Sequence, residues 1–212
     1  EYRLPRLSQV QIKEKIGLDF QSVLKASLRQ DPDILLIGEM RDTDSAEIAL
    51  RAAMTGHLVL STLHTNDAVS SALRLIDMGV DSFLVASSLK AVVAQRLVRK
   101  LCEHCKTEHS DISHLEHLMD DGQKQHKYYH ATGCVHCFNT GYKGRLGIFE
   151  YLPINDSMAN ALRDKDIASF TTLSVNSDHY KSLKDSAMDL AINGETSLDE
   201  VERFSLKAND VI

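Results

Sequence analysis

The stretch Asp31-Pro-Asp-Ile-Leu-Leu-Ile-Gly-Glu-Met-Arg-Asp42 decides the fold. Within it, Ile34–Ile37 is an uninterrupted apolar run, too short for a comfortable helix, with Pro32 before it and Gly38 after it. Such a run predicts a strand buried on both faces, the kind found in parallel α/β sheets. Glu39, Arg41 and Asp42 stand directly beyond its carboxyl end, where open α/β sheets place their ligand crevices. A carboxylate in that place can hold a metal-bound water or polarise a nucleophile beside a phosphate. The plainer alternative is a buried strand followed by an ordinary charged turn.

Gly56-His-Leu-Val-Leu-Ser-Thr-Leu-His-Thr-Asn-Asp67 supplies a second short strand, residues 57–60, running into a polar cluster headed by His64. At the carboxyl edge of a strand beside that of Glu39, His64 could donate to a γ-phosphate oxygen, or simply be a hydrogen-bonded packing residue. His57 sits at the opposite end and reads as structural. Around these strands the pattern is helical. Asp19 caps residues 20–29, whose Phe20, Val23, Leu24 and Leu28 form an apolar stripe ended by Pro32. An alanine-rich helix over 45–55 stops at Gly56, and a further one starts at Asn66 or Asp67 and stops at Gly79. A single long helix is expected over 82–101, with Leu75, Ile76, Leu84, Val85, Leu89, Val92, Val93 and Leu97 as core. Arg96 and Arg99 then lie three apart on one helix face, solvated or paired with acidic neighbours. Strand and helix alternating in this way is the α/β signature.

Cys102-Glu-His-Cys105 and Cys134-Val-His-Cys137 are two Cys-x-x-Cys knuckles, and four thiolates suit a closed, structural tetrahedral zinc site. Seven histidines between His104 and His136 read as solvated, with His104 or His136 as substitute ligands. The loop around Asp120, Asp121, Gly122, Gln123 and Lys124 reads as too polar to fold without the metal. Beyond it, Gly141-Tyr-Lys-Gly-Arg-Leu-Gly-Ile-Phe-Glu-Tyr-Leu-Pro153 predicts a tight turn into a strand over 146–152, with Arg145 and Glu150 as an ion pair. The last sixty residues read as helical: one helix from Asp156, another over 181–192, and a final one opened by the capping box Ser197-Leu-Asp-Glu200, with Val201 and Phe204 inward.

Composition sets bounds. The 212 residues are 43% hydrophobic and 25% charged, ordinary for a globular chain. The net charge of −6, almost all of it after residue 100, argues against wholesale binding of polymeric nucleic acid, which would want a basic face. No apolar run reaches transmembrane length. Paired cysteines without an export signal point to a reducing cytosol.

The stretch 31–42, the segment Leu60-Ser-Thr-Leu-His-Thr-Asn66 and the four cysteines together resemble the secretion ATPase superfamily, the hexameric motors of type II secretion and type IV pilus assembly. Among its branches the chain looks closest to pilus-assembly ATPases of the mannose-sensitive haemagglutinin type. The resemblance implies a partial RecA-like P-loop NTPase core over 1–101, an inserted zinc module over 102–141, and a strand plus carboxyl-terminal helical region over 142–212. It makes 31–42 a Walker B strand, with Glu39 holding the magnesium shell or the attacking water, and 60–66 a His box. Arg29 and Arg41 become compensating charges for Glu39 or contacts to nucleotide at a subunit boundary, and Arg145 a residue that can approach the base or ribose. Glu1-Tyr2 would end an acidic Asp box. The cofactors implied are ATP with Mg²⁺ and structural Zn²⁺. The partners implied are five further copies and an inner-membrane platform protein, with the motor cytoplasmic and peripheral to that membrane. A Gly-x-x-x-x-Gly-Lys-Ser/Thr loop occurs nowhere in the sequence, so the chain reads as the carboxyl-terminal part of a longer motor, inactive alone. A non-catalytic, zinc-stapled module that docks on a motor is the alternative.

Overall fold

A computed structural model describes residues 3–209, without the side chains of Glu14 and of residues 204–209. The Asp-box reading of Glu1-Tyr2 and the inward Phe204 therefore lie outside the described residues. The chain forms two compact units: residues 1–65, 69–90 and 154–175 in the first, and 66–68, 91–153 and 176–212 in the second.

In the first unit, β1 (Ile34–Ile37) pairs in parallel with β2 (Leu58–Ser61), Ile34 opposite Leu58 and Ile37 opposite Ser61. The two strands are joined through helix α2 (Thr43–Met54), and helix α1 (Phe20–Ser27) precedes them. Local chemistry sets these boundaries. Asp19 accepts from the Ser22 N–H to cap α1, and Asp42 accepts from the Ser45 N–H to cap α2, each covering a donor the helix leaves open. After α1 a 3-10 turn (Leu28–Gln30) tightens the chain, and Asp31 takes a left-handed conformation before Pro32. Leu24, Ile37 and Ala49 form the buried centre, with Phe20, Leu35, Ile48 and Val59 around them. One expectation fails here. The strands are not buried on both faces: Ile34 is 61% and Leu36 77% exposed, and Leu58 and Leu60 are also open. Among the described residues the sheet has two strands, and the helices cover one side of its pleat. The rest of this unit is helical: α3 (Ala68–Asp77), α4 (Ser82–Ser88), α5 (Asp156–Arg163) and α6 (Ile167–Val175). Ser88 Oγ donates to the Leu50 carbonyl and Ser82 Oγ to that of Arg163, tying α4 to its neighbours.

The second unit overturns the long helix. Helix α4 ends at Ser88, and residues 91–101 are a strand, β3 (Ala91–Leu101), antiparallel to β6 (Tyr142–Pro153). Three valines favour the extended chain, and burial alternates along it: Val98 is buried while Val93 and Leu97 are exposed, so these last two leave the predicted core. Arg96 and Arg99 consequently point to opposite faces. Arg96 donates to Asn66 Oδ1 (2.9 Å), whereas Arg99 pairs with Glu200. A short hairpin, β4 (Lys106–Glu108) and β5 (Tyr129–Ala131), carries the segment between the knuckles. That segment is not merely polar. Leu115, Leu118, Met119 and Tyr128 join Val98 and Ile148 in a core closed by helices α7 (Leu183–Ile192) and α8 (Leu198–Asn209). The segment therefore has an apolar hold of its own, because four large side chains are withdrawn from water.

Helix α7 opens with a capping box of Ser182 and Asp185. At α8 the predicted box is half made. Ser197 Oγ accepts from the Glu200 N–H (3.3 Å), but the Glu200 carboxylate turns to Arg99. No described helix is long and apolar enough to cross a membrane.

Candidate functional site

The turn after β1 places Glu39 and Arg41, and the turn after β2 places His64, because the parallel register aligns the two carboxyl ends. Two hydrogen bonds fasten the turns together. Met40 N–H donates to the Thr62 carbonyl (3.2 Å), and Thr62 Oγ1 donates to the Gly38 carbonyl (2.6 Å). Across this clamp, His64 Nε2 donates to Glu39 Oε2 (2.9 Å), and the Arg41 guanidinium pairs with the other carboxylate oxygen. The Arg41 hydrogen bond, with a smaller contribution from His64, holds the Glu39 carboxyl below its usual range against the effect of burial. Glu39 is therefore an ionised acceptor over the whole neutral range.

A cleft of about 970 Å³ runs past this edge, lined among others by Phe20, Ile37, Glu39, Asp42, Thr62 and His64. Its donor set is informative. A hard carboxylate suits a magnesium shell, and a histidine and an arginine beside it suit phosphate oxygens. The site thus fits a metal–nucleotide in chemistry.

Of the residues singled out from sequence, Glu39, Arg41 and His64 come together. Arg29 does not line that cleft and lies exposed on the 3-10 turn after α1. His57 donates through Nδ1 to the Ala52 carbonyl (2.9 Å), a packing contact in α2. Arg145 belongs to the second unit, on β6 opposite Arg99, and is exposed. The ion pair expected between Arg145 and Glu150 does not form. Glu150 is 2% exposed and accepts from the backbone N–H of Ala68 (2.8 Å) and of Leu183 (3.4 Å). Burial raises its carboxyl above the usual range. Sequence reasoning missed Thr62, whose role rests on a long-range hydrogen bond. It also missed Glu200 as a partner of Arg99, and only the Ser-x-x-Glu spacing drew attention to that carboxylate.

The second unit carries the metal-type site. Cys102, Cys105, Cys134 and Cys137 have all four sulfurs within 4.8 Å of one another, and three of the pairs stand at 3.8–3.9 Å. Four thiolates at about 2.3 Å from a tetrahedral zinc are about 3.8 Å apart, whereas a disulfide needs about 2.05 Å. All four cysteines are free. The thiols also differ. Burial pushes Cys105 up to about 12, while Cys137 is brought down to about 6 because N–H donation from Cys134 and Gly141 outweighs its burial. Gly141 has to be glycine: at φ +75° a Cβ there would stand 2.4 Å from that of Ala131.

A parallel strand pair joined through a helix, with acidic and basic groups gathered at its carboxyl edge, fits a RecA-like α/β core. The chain belongs to the type II/IV secretion system protein family, whose model matches residues 1–203. It is 42% identical over 208 residues to the type II secretion system protein HxcR of Pseudomonas aeruginosa, covering 98% of this chain and 41% of that protein. To the type IV pilus assembly ATPase PilB of the same organism it is 41% identical over 209 residues, covering 97% of this chain and 37% of the relative. It therefore spans about two fifths of the length of such relatives. A solved structure of the pilus retraction motor PilT with bound ADP superposes with a TM-score of 0.60 at 25% identity, covering 88% of this chain and 43% of that one.

Proposed function

We propose that this chain is the carboxyl-terminal part of an ATP-hydrolysing motor, in which Glu39 organises the magnesium–water shell at the nucleotide. The motor would power type IV pilus assembly, of the mannose-sensitive haemagglutinin type, or type II secretion. The observation that carries the reading is the Glu39–His64–Arg41 cluster at the carboxyl edge of β1 and β2. Magnesium–ATP supplies the electrophilic phosphorus and the neutralising cation. The chain's own residues supply the rest. Glu39 stays ionised at neutral pH and can orient a water without first losing a proton. His64 keeps one nitrogen on that carboxylate and is 92% exposed, so it can turn toward a phosphate oxygen. Arg41 compensates the Glu39 charge.

The sequence given holds no Gly-x-x-x-x-Gly-Lys-Ser/Thr loop to cradle phosphates, so the chain alone should not turn over ATP. The working assembly is proposed as a homo-hexamer on the cytoplasmic face of the inner membrane, moving a platform protein, with Zn²⁺ held by the four cysteines. In the complete motor, Glu39→Gln should lower turnover by about 100-fold or more while ATP affinity stays within about threefold, since an amide keeps the shape and loses the charge. Unchanged turnover would remove Glu39 from the chemistry. A wild-type complete protein that hydrolyses nothing would favour the non-catalytic docking module instead.

A further inference from the structure

Apart from the four cysteines, the second unit gathers three imidazoles at the hairpin. His109 follows β4, His130 lies in β5, and His114 sits on the 3-10 turn Ser113–Leu118. The His109 and His130 ring centres are 5.1 Å apart and those of His109 and His114 6.0 Å. Three imidazoles on one tetrahedral ion, each nitrogen about 2.1 Å from it, put ring centres about 5 Å apart. The decisive atom is His130 Nδ1, which is buried and has no hydrogen-bond partner. Its other nitrogen, Nε2, stands 3.2 Å from Thr107 Oγ1. Donation from Nε2–H to that hydroxyl leaves Nδ1 as a bare lone pair, and a buried lone pair without a donor costs stability. Ligating histidines are oriented in this manner, one nitrogen on the metal and the other donating to an oxygen. Asp111 Oδ1 accepts from the Ser113 N–H at 3.0 Å, at the start of the turn that carries His114.

We propose that His109, His114 and His130 form a second metal site for a borderline divalent ion of the zinc–cobalt–nickel class. Among the described residues only the cysteine quartet already has its donors converged. Closing the histidine site takes rotation of exposed His114 and of half-buried His109 about their side-chain bonds. Such a site would pin the 109–114 turn to the hairpin independently of the sulfurs. Cobalt(II) distinguishes the two sites, because only the cysteine site gives sulfur-to-cobalt charge transfer. Protein carrying one equivalent of zinc is titrated with cobalt, and bound metal is counted after dialysis. The expected result is a second equivalent with d–d absorption of nitrogen–oxygen ligation and no charge-transfer band. His114→Ala, at an exposed position, should weaken that equivalent at least tenfold while leaving the zinc in place, and His130→Ala should abolish it. A stoichiometry that stays at one metal would overturn the proposal. So would a second equivalent that His114→Ala and His109→Ala both leave unchanged, or cobalt that enters only with a charge-transfer band.

Discussion

Removing the Glu200 carboxylate should unfold the second unit more readily, by an amount the structure allows to be worked out. Glu200 is 6% exposed and accepts from the Arg99 backbone N–H at 2.9 Å and from its guanidinium at 2.7 Å. The guanidinium lies 4.0 Å above the Tyr142 ring. In Glu200→Ala the Arg99 N–H is left inside a sheet without an acceptor, which costs about 1–3 kcal/mol. The guanidinium is 44% exposed, so water takes over much of its share and the ion pair adds about 1 kcal/mol or less. A total of about 3 kcal/mol follows. Glu200→Gln keeps an acceptor for the N–H and should cost about 1 kcal/mol. Arg99→Ala removes the guanidinium but keeps the backbone N–H at residue 99, and Arg203 stands 3.5 Å from the carboxylate, so it should cost about 1–3 kcal/mol. The pH dependence has a definite sign. Burial pushes the Glu200 carboxyl up, but hydrogen bonds from Arg99 outweigh it, and the folded value lies below the unfolded one. Its stabilisation is therefore present above the ordinary glutamate range and lost as pH falls through the lowered folded value. Urea unfolding followed by far-UV circular dichroism measures all three variants, and the gap between wild type and Glu200→Gln should narrow in acid. A Glu200→Ala cost under about 0.5 kcal/mol, or the order Gln worse than Ala, would refute the argument.

Two further outcomes are expected. Leu115→Ala, in the segment between the knuckles and fully buried, should cost about 2–5 kcal/mol in the same unfolding assay with metal bound; a negligible loss would mean that metal alone orders the segment. Reduced, extensively dialysed protein should keep about one zinc per cysteine quartet by elemental analysis, and Cys137→Ser should lower that content sharply; a metal-free wild type would end the zinc assignment.

Much of the first unit could be read from short-range chemistry. Apolar runs between helix breakers place β1 and β2, and Asp19 and Gly56 mark helix ends, because those signals act within a few residues. What could not be read depends on partners far away in sequence. Residues 91–101 have enough Leu, Ala, Arg and Lys to pass for a helix, and pairing with 142–153 makes them a strand. Helix α6 is rich in Ser, Thr and β-branched residues, and its Thr171 and Thr172 hydroxyls donate to carbonyls four residues back. Its Phe170, fully buried, holds it to the fold against that weak propensity. Glu150 looked like half of an ion pair because charge in a sequence carries no depth, and its partners proved to be backbone N–H groups of residues 68 and 183. The cysteine quartet was legible for the opposite reason: metal chemistry imposes its spacing on the sequence directly.

The same sulfur spacing governs how the protein can be handled. Thiols 3.8–3.9 Å apart are neighbours that side-chain rotation can bring to bonding distance, and at Cys137 hydrogen bonds outweigh burial and favour the thiolate. A bound ion would act as a protecting group for all four. Stripped in air, the quartet would close into disulfides and lock the metal out, so chelation under oxygen and chelation under reductant should yield two different proteins.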